Sequence, residues 1–294
     1  MPDDTVPADA AANGGEAGAE TAIRRPVTGA EGPSGPRSAN PTLDLLSARR
    51  STRTYADEPI TAEERSAVLN AAMRAPTAGN LMLYSIIEIE DQELKEQMAV
   101  SCDNQPFIAK APWVLVFVAD YQKWTDLFEH GRVSDLPDVS HRRPGPGDLL
   151  LACSDALIAA QNAVIAAESL GIGSCYIGDI IENAETHQRL LDLPPHTLPI
   201  TMVCFGRPRT QHAPTPRYTH HVVMRDRYQR LTAEERATAA FELERMHAPN
   251  GLPPGAKSYP EFVYRRKFTA AFSAEMGRSA RWWIERWCGR APTP

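Results

Sequence analysis

The chain has 294 residues, 43% of them hydrophobic, and a formal net charge of −6. That is enough apolar material for a substantial core in one or two domains, and the acidic balance speaks against nucleic-acid or anionic-membrane binding as the main task. The five cysteines (Cys102, Cys153, Cys175, Cys204 and Cys288) are scattered and form no CxxC pair, so neither a disulfide framework nor a zinc site is expected.

No segment near the start joins a charged stretch to an apolar core, as a secretory signal would. The longest apolar run, about 149–170, is interrupted by Asp155, Gln161, Asn162 and Glu168, which argues against a membrane span. A cytoplasmic protein with reduced thiols is the default expectation. Residues 1–40 are rich in Ala, Gly, Pro, Asp and Glu and have almost no large apolar side chain. They cannot offset the entropy of ordering and are expected to be a disordered leader.

Order begins near Pro41, with Thr42 a plausible N-cap for a short helix through Arg50. Thr61-Ala62-Glu63-Glu64 is a capping box, and the helix it opens carries Val68, Leu69, Ala72 and Met73 at helical spacing. That helix should stop at Ala75, because Pro76 disfavours a helical residue before it. After the loop 76–80, residues 85–90 read as a strand and 91–101 as a helix. Trp113 to Ala119 is a continuous apolar run, the pattern of a strand buried on both faces.

Residues 121–147 are mixed and interrupted by Pro and Gly, more an excursion or lid than core. The stretch 148–170 is apolar nearly all round, which fits a central helix or a subunit interface. A short helix near 184–191 and a buried strand at 198–205 follow, and 218–223 reads as a further extended segment. Thr232 and Glu235 form a second capping box, 249–255 is a linker, and two helices rich in arginine and aromatics close the chain.

Among motifs, Arg49-Arg50-Ser51-Thr52-Arg53 is the most pointed, with three guanidiniums and two hydroxyls in a short turn. Guanidinium forks suit phosphate oxygens, although taken alone the cluster reads better as a solvated basic turn. Gly171, Gly173 and Gly178 do not make GxGxxG, because Tyr176 stands where the third glycine would be. His220 and His221, on an alternating segment, would face opposite sides, so no metal site is expected.

Five motifs in order remain: RRSTR at 49–53, Pro-Thr-Ala-Gly-Asn at 76–80, Asn104-Gln105 with Ala111-Pro112, Gly-Ile-Gly-Ser-Cys-Tyr-Ile-Gly at 171–178, and Gly-Arg-Pro at 206–208 with Arg217. Together they resemble the nitroreductase family of FMN-dependent oxidoreductases, over roughly residues 41–225. The resemblance implies an α/β (α+β) three-layer sandwich, its central sheet mainly antiparallel or mixed and flanked by helices. It divides the chain into the leader 1–40, an FMN-binding domain 41–230 and a helical C-terminal extension 231–294. It also implies a homodimer with FMN at the interface.

By that resemblance Arg49, Arg50, Ser51 and Arg217 hold the flavin phosphate, and Arg53 faces N1 and O2 of the ring. Pro76, Thr77, Ala78 and Asn80 cover the flavin from the partner subunit, Asn104 bonds the ring, and Ile177-Gly178 lies against N5. NAD(P)H would donate hydride to flavin N5 in a ping-pong cycle. An electron-poor small molecule (nitroaromatic, quinone, enone or flavin) would then accept the electrons. A cation at about 4 Å from N1, with an effective dielectric near 20, contributes roughly 4 kcal/mol toward the anionic reduced ring.

After the 76–80 loop the family often has Asn-x-Gln-Pro-Trp, and this chain has Asn80-Leu81-Met82-Leu83-Tyr84 instead, which leaves the acceptor side of the pocket open. Tyr84, Trp124 and Phe128 are the candidates for that wall. Alternatives are a flavin-dependent dehydrogenase or O₂-using oxidase, a non-catalytic flavin-binding protein, and a nucleic-acid module led by the C-terminal helices. The pairs Phe268–Phe272 and Trp283–Trp287 read as apolar helix faces, so docking of those helices on the body or on the partner is favoured over nucleic-acid binding.

Overall fold

The computed structural model describes residues 40–210 and 213–291; the expected disordered leader lies, apart from Asn40, outside the described residues. At the centre is the strand Trp113–Asp120 (β2), buried at every position. It pairs antiparallel with Tyr84–Ile89 (β1) on one side and Thr197–Gly206 (β4) on the other. The far side of β4 carries Gly173–Ile177 (β3), also antiparallel, so the sheet order is β1-β2-β4-β3.

Because successive strand residues face opposite ways, β2 feeds two cores. Val114, Val116 and Val118 enter one, Trp113, Leu115 and Phe117 the other. The second core is closed by the helices Ala62–Met73 (α2) and Pro146–Ser169 (α6). The first is closed by Gln92–Ser101 (α3), Pro106–Ala109 (α4), Ala184–Leu190 (α7) and Ala271–Trp287 (α10). The result is helix, sheet and helix in three layers, an α+β sandwich as expected.

α2 starts at the expected capping box, with Thr61 Oγ1 accepting from Glu64 N at 3.2 Å, but ends at Met73. The first helix, Pro41–Ala48 (α1), is capped by Asn40 rather than Thr42: Asn40 Oδ1 accepts from Thr42 N and Leu43 N. The supposed excursion after 121 contains a helix, Gln122–His130 (α5), whose Trp124 packs on the first core. β3 was not foreseen, whereas 218–223 is turn rather than strand.

α6 is not buried on every side within the chain. Its alanine face (Ala152, Ala156, Ala159, Ala163) is sealed, while Leu150, Leu151, Leu157 and Ile158 are exposed. It is long and apolar enough to cross a bilayer, but that alanine face belongs to the core.

Two further helices, Ala233–His247 (α8) and Tyr259–Val263 (α9), precede α10. Trp283 and Trp287 of α10 are fully buried and donate to the carbonyls of Ile181 (2.9 Å) and Gly145 (3.1 Å). Loss of either ring would cost about 3–5 kcal/mol. By contrast Phe268 is exposed and separated from Phe272 by the break at Thr269-Ala270, so those two do not form one helix face.

Candidate active site

The RRSTR stretch leaves the end of α1, with Arg49 as the C-cap, and runs on as an extended segment along the edge of the sheet, held by isolated bridges. Ser51 bridges parallel to Ser174 of β3, Thr52 N donates to Ser174 O at 2.8 Å, and Ala56 N donates to Arg207 O at 2.9 Å. Two glycines allow this close passage. A Cβ on Gly173 would lie 2.8 Å from Thr52 Cβ, and one on Gly206 would lie 2.9 Å from Tyr55 Cγ and from Pro112 Cδ. With the backbone pinned to the sheet, Arg49, Arg50, Ser51 and Arg53 all line one cavity of about 980 Å³.

Thr215, Arg217, Tyr218 and His220 also line that cavity, as do Glu242, Arg245 and Met246 of α8. It presents five guanidinium groups and one carboxylate, so it is built for an anion. The Arg49 guanidinium carbon lies 5.7 Å from the centroid of Tyr176. Arg49 Nε and Nη2 are buried without a hydrogen-bond partner among the described residues. Buried donors left unpaired are costly, and an acceptor oxygen entering the cavity would satisfy them. Arg50 is half-buried beside them.

Glu168 stands behind this cluster and accepts from Ser174 Oγ at 3.4 Å. Burial pushes its carboxyl above the usual range, and Arg49 and Arg50 oppose that shift. Arg53 turns away from Arg49, its guanidinium carbon 5.8 Å from the Phe107 centroid, and it also lines a smaller adjoining cleft with Lys110 and Arg209. Arg207 is structural: it pairs with Glu64 at 2.6 Å and with Glu58 at 3.1 Å.

The other predicted residues fall elsewhere. Ile177 is buried in β3, and Gly178 beyond it is exposed, with open space where a side chain would stand. Asn104 is exposed in a left-handed turn (φ 50°). The 76–80 loop does not line the cavity of its own chain. It is tied to α6 instead, where the buried Asp155 carboxylate accepts from Ala78 N at 2.9 Å and Leu83 N at 3.2 Å.

Tyr84 is not a pocket wall. It is 4% exposed in the second core, and its hydroxyl lies 3.4 Å from Ala72 O. Trp124 and Phe128 pack at a tilt of 40° with centroids 5.7 Å apart, and Trp124 Nε1 donates to Leu81 O, beside the loop rather than the cavity. The sequence reading gave no site role to Glu168, Glu242 or Arg245, and it named Thr52, Tyr176 and His220 without assigning them to the cavity or its surroundings. The α8 capping box was readable, but no local signal carries that helix to the cavity.

A family model described as Nitroreductase family matches residues 46–207. The chain is 33% identical over 204 residues to an oxygen-insensitive NADPH nitroreductase of Salmonella typhimurium, spanning 69% of this chain and 80% of that protein. It is 31% identical over 186 residues to an FMN reductase (NADPH) of Bacillus subtilis, covering 63% and 72% respectively. Among solved structures, the NADPH:FMN oxidoreductase from Vibrio harveyi complexed with NAD⁺ superposes with a TM-score of 0.68 at 26% identity, over 85% of this chain and 98% of that one. The family model and these likenesses agree: the chain belongs to the nitroreductase family.

Proposed function

We propose that this protein is an FMN-dependent oxidoreductase that takes reducing equivalents from NAD(P)H and passes them, in a ping-pong cycle, to an electron-poor small molecule. The observation that carries the reading is the pair of buried, unpaired guanidinium nitrogens of Arg49 inside a cavity shared with Arg50, Ser51 and Arg217. A phosphate monoester matches that donor set in charge and in geometry. The names of the relatives, NADPH nitroreductase and FMN reductase, support the same cofactor and donor.

Arg49, Arg50, Ser51 and Arg217 bind the phosphate. Arg53, on the same extended segment and free of carboxylate partners among the described residues, presents a positive charge toward the ring side of the cavity. Ile177 and Gly178 offer backbone and open space at the end of β3, where a flat ring can approach closely. When bound, the flavin supplies hydride acceptance from the nicotinamide and electron delivery to the acceptor. The chain contributes binding, orientation and charge, and no acid–base pair of its own is assigned.

The working form is a homodimer. Two observations support it: the exposed leucines and isoleucine along α6, and a 76–80 loop held by Asp155 outside its own chain's cavity. In a dimer, Pro76, Thr77, Ala78 and Asn80 reach the other subunit's site, with Trp124 and Phe128 behind them. A cytoplasmic location fits the free cysteines, and no nucleic-acid or membrane partner is invoked.

Absorbance tests the reading. The purified protein should be yellow or take up FMN, and NADPH or NADH should bleach the flavin band under argon until an acceptor is added. A protein that cannot be loaded with FMN would defeat the proposal.

A further inference from the structure

The cavity has a wall that the family match does not include. Residues 46–207 supply Arg49, Arg50, Ser51 and Arg53, but Glu242, Arg245 and Met246 come from α8. Those three stand at i, i+3 and i+4, so they share one helix face, and that face borders the cavity. The helix is firmly started, since Thr232 N donates to Glu235 Oε2 at 2.7 Å and Glu235 N donates to Thr232 Oγ1 at 3.2 Å.

It is also joined to the segment that carries Arg217. Glu242 Oε2 lies 3.8 Å from His220 Nε2, and His220 packs on Tyr218 with centroids 5.3 Å apart. Arg245 has no ion pair among the described residues. Its charge adds to a cavity already cationic, where an unneutralised guanidinium gains only when an anion arrives.

We propose that α8 is a cap over the phosphate end of the cofactor site, with Arg245 as an additional phosphate-binding residue and the Glu242–His220 contact as its clasp. The inference rests on the FMN reading above and deepens it. The cap slows the escape of bound FMN from the phosphate end of the cavity. A closed wall acts mainly on release, since affinity differences at one site appear chiefly in the off-rate.

The test is the release rate of FMN, followed by the change in flavin fluorescence on large dilution of the loaded protein into buffer, with riboflavin (the same ring without the phosphate) as the second probe. Arg245→Ala keeps a good helix former at the position. It should speed FMN release by about tenfold or more, the scale of one charge-assisted contact, and leave riboflavin release unchanged. Arg245→Lys should recover part of the loss. FMN release at the wild-type rate from Arg245→Ala, or equal acceleration of both flavins, would overturn the cap while the cofactor reading stands. Wild-type protein that binds neither flavin would instead remove the cofactor reading, and the cap with it.

Discussion

Arg49 rests its guanidinium 5.7 Å from the ring centroid of Tyr176 with two of its nitrogens buried and unpaired. Such an arrangement costs stability until an anion is bound. Arg49→Met keeps the stem and removes the charge. In flavin-free protein it should melt no lower than wild type, and it should weaken FMN binding by at least about tenfold. Thermal melts with and without FMN check both halves, because ligand stabilisation scales with occupancy. A lower melting temperature in the flavin-free variant would show that Arg49 is a structural residue instead.

The extended segment that carries the arginines depends on glycines in the strands it passes. Gly173 has no room for a Cβ because Thr52, itself buried, lies against it. Gly173→Ala should therefore cost about 1–3 kcal/mol, the usual scale of overpacking. It should also loosen FMN binding, by pushing Ser51 and Thr52 off β3. Thr52→Gly in the same chain should restore part of both losses, and urea unfolding with FMN titration would show whether it does. Equal stability of Gly173→Ala and wild type would mean that the two strands can separate without penalty.

These two sites show what could be read in the linear chain. The run from Trp113 to Ala119 was legible because a strand buried on both faces needs no polar alternation, and both capping boxes were legible because they are local chemistry. The arginine cluster was visible as composition, but its conformation was not, since the strand at Ser51 exists only through its bridge to Ser174, more than a hundred residues away. β3 escaped for the same reason: five residues beginning at a glycine carry little signal until β4 pairs with them. Tyr84 stands shortly after the 76–80 loop in the sequence and looked available to a substrate. Its place at the start of β1 turns the ring into the core instead.

Asp155 holds the loop that the dimer would send across to its partner. One carboxylate accepts from Ala78 N and Leu83 N while only 2% of the residue is exposed. Asparagine retains a single acceptor oxygen and sets an NH₂ against the other donor. Asp155→Asn should thus cost about 1–3 kcal/mol for one broken charged contact and one unpaired donor. Amide exchange of residues 78–83 should accelerate well beyond that of β2. Exchange rates in the loop that match wild type would remove Asp155 from this role.

Two carboxyl groups at α10 and its contact with the body should titrate in opposite senses. Glu182 is 3% exposed with Oε1 unpaired. Burial, reinforced by Asp179, Asp103 and Glu275, pushes its pKa up to about 7. Glu275 of α10 is held down to about 2, chiefly by Arg278 and also by Ser279 and the backbone N–H of Asn183. The folded chain therefore holds the Glu182 proton that the unfolded chain releases near 4.5, and its stability falls as pH rises from about 4.5 through 7. For Glu275 the relation reverses: its contribution is complete above about 4.5 and disappears as pH falls toward 2. Glu182→Gln removes the charge that has to be buried, so it should raise the melting temperature at pH 8 and change it little at pH 4.5. Glu275→Gln should lower the melting temperature most at pH 7, where the carboxylate caps Asn183 and pairs with Arg278, and least near pH 2.5. Melting curves of the two variants across this range should diverge in opposite directions, and a Glu182→Gln protein that is less stable than wild type at pH 8 would overturn the assignment of the raised group.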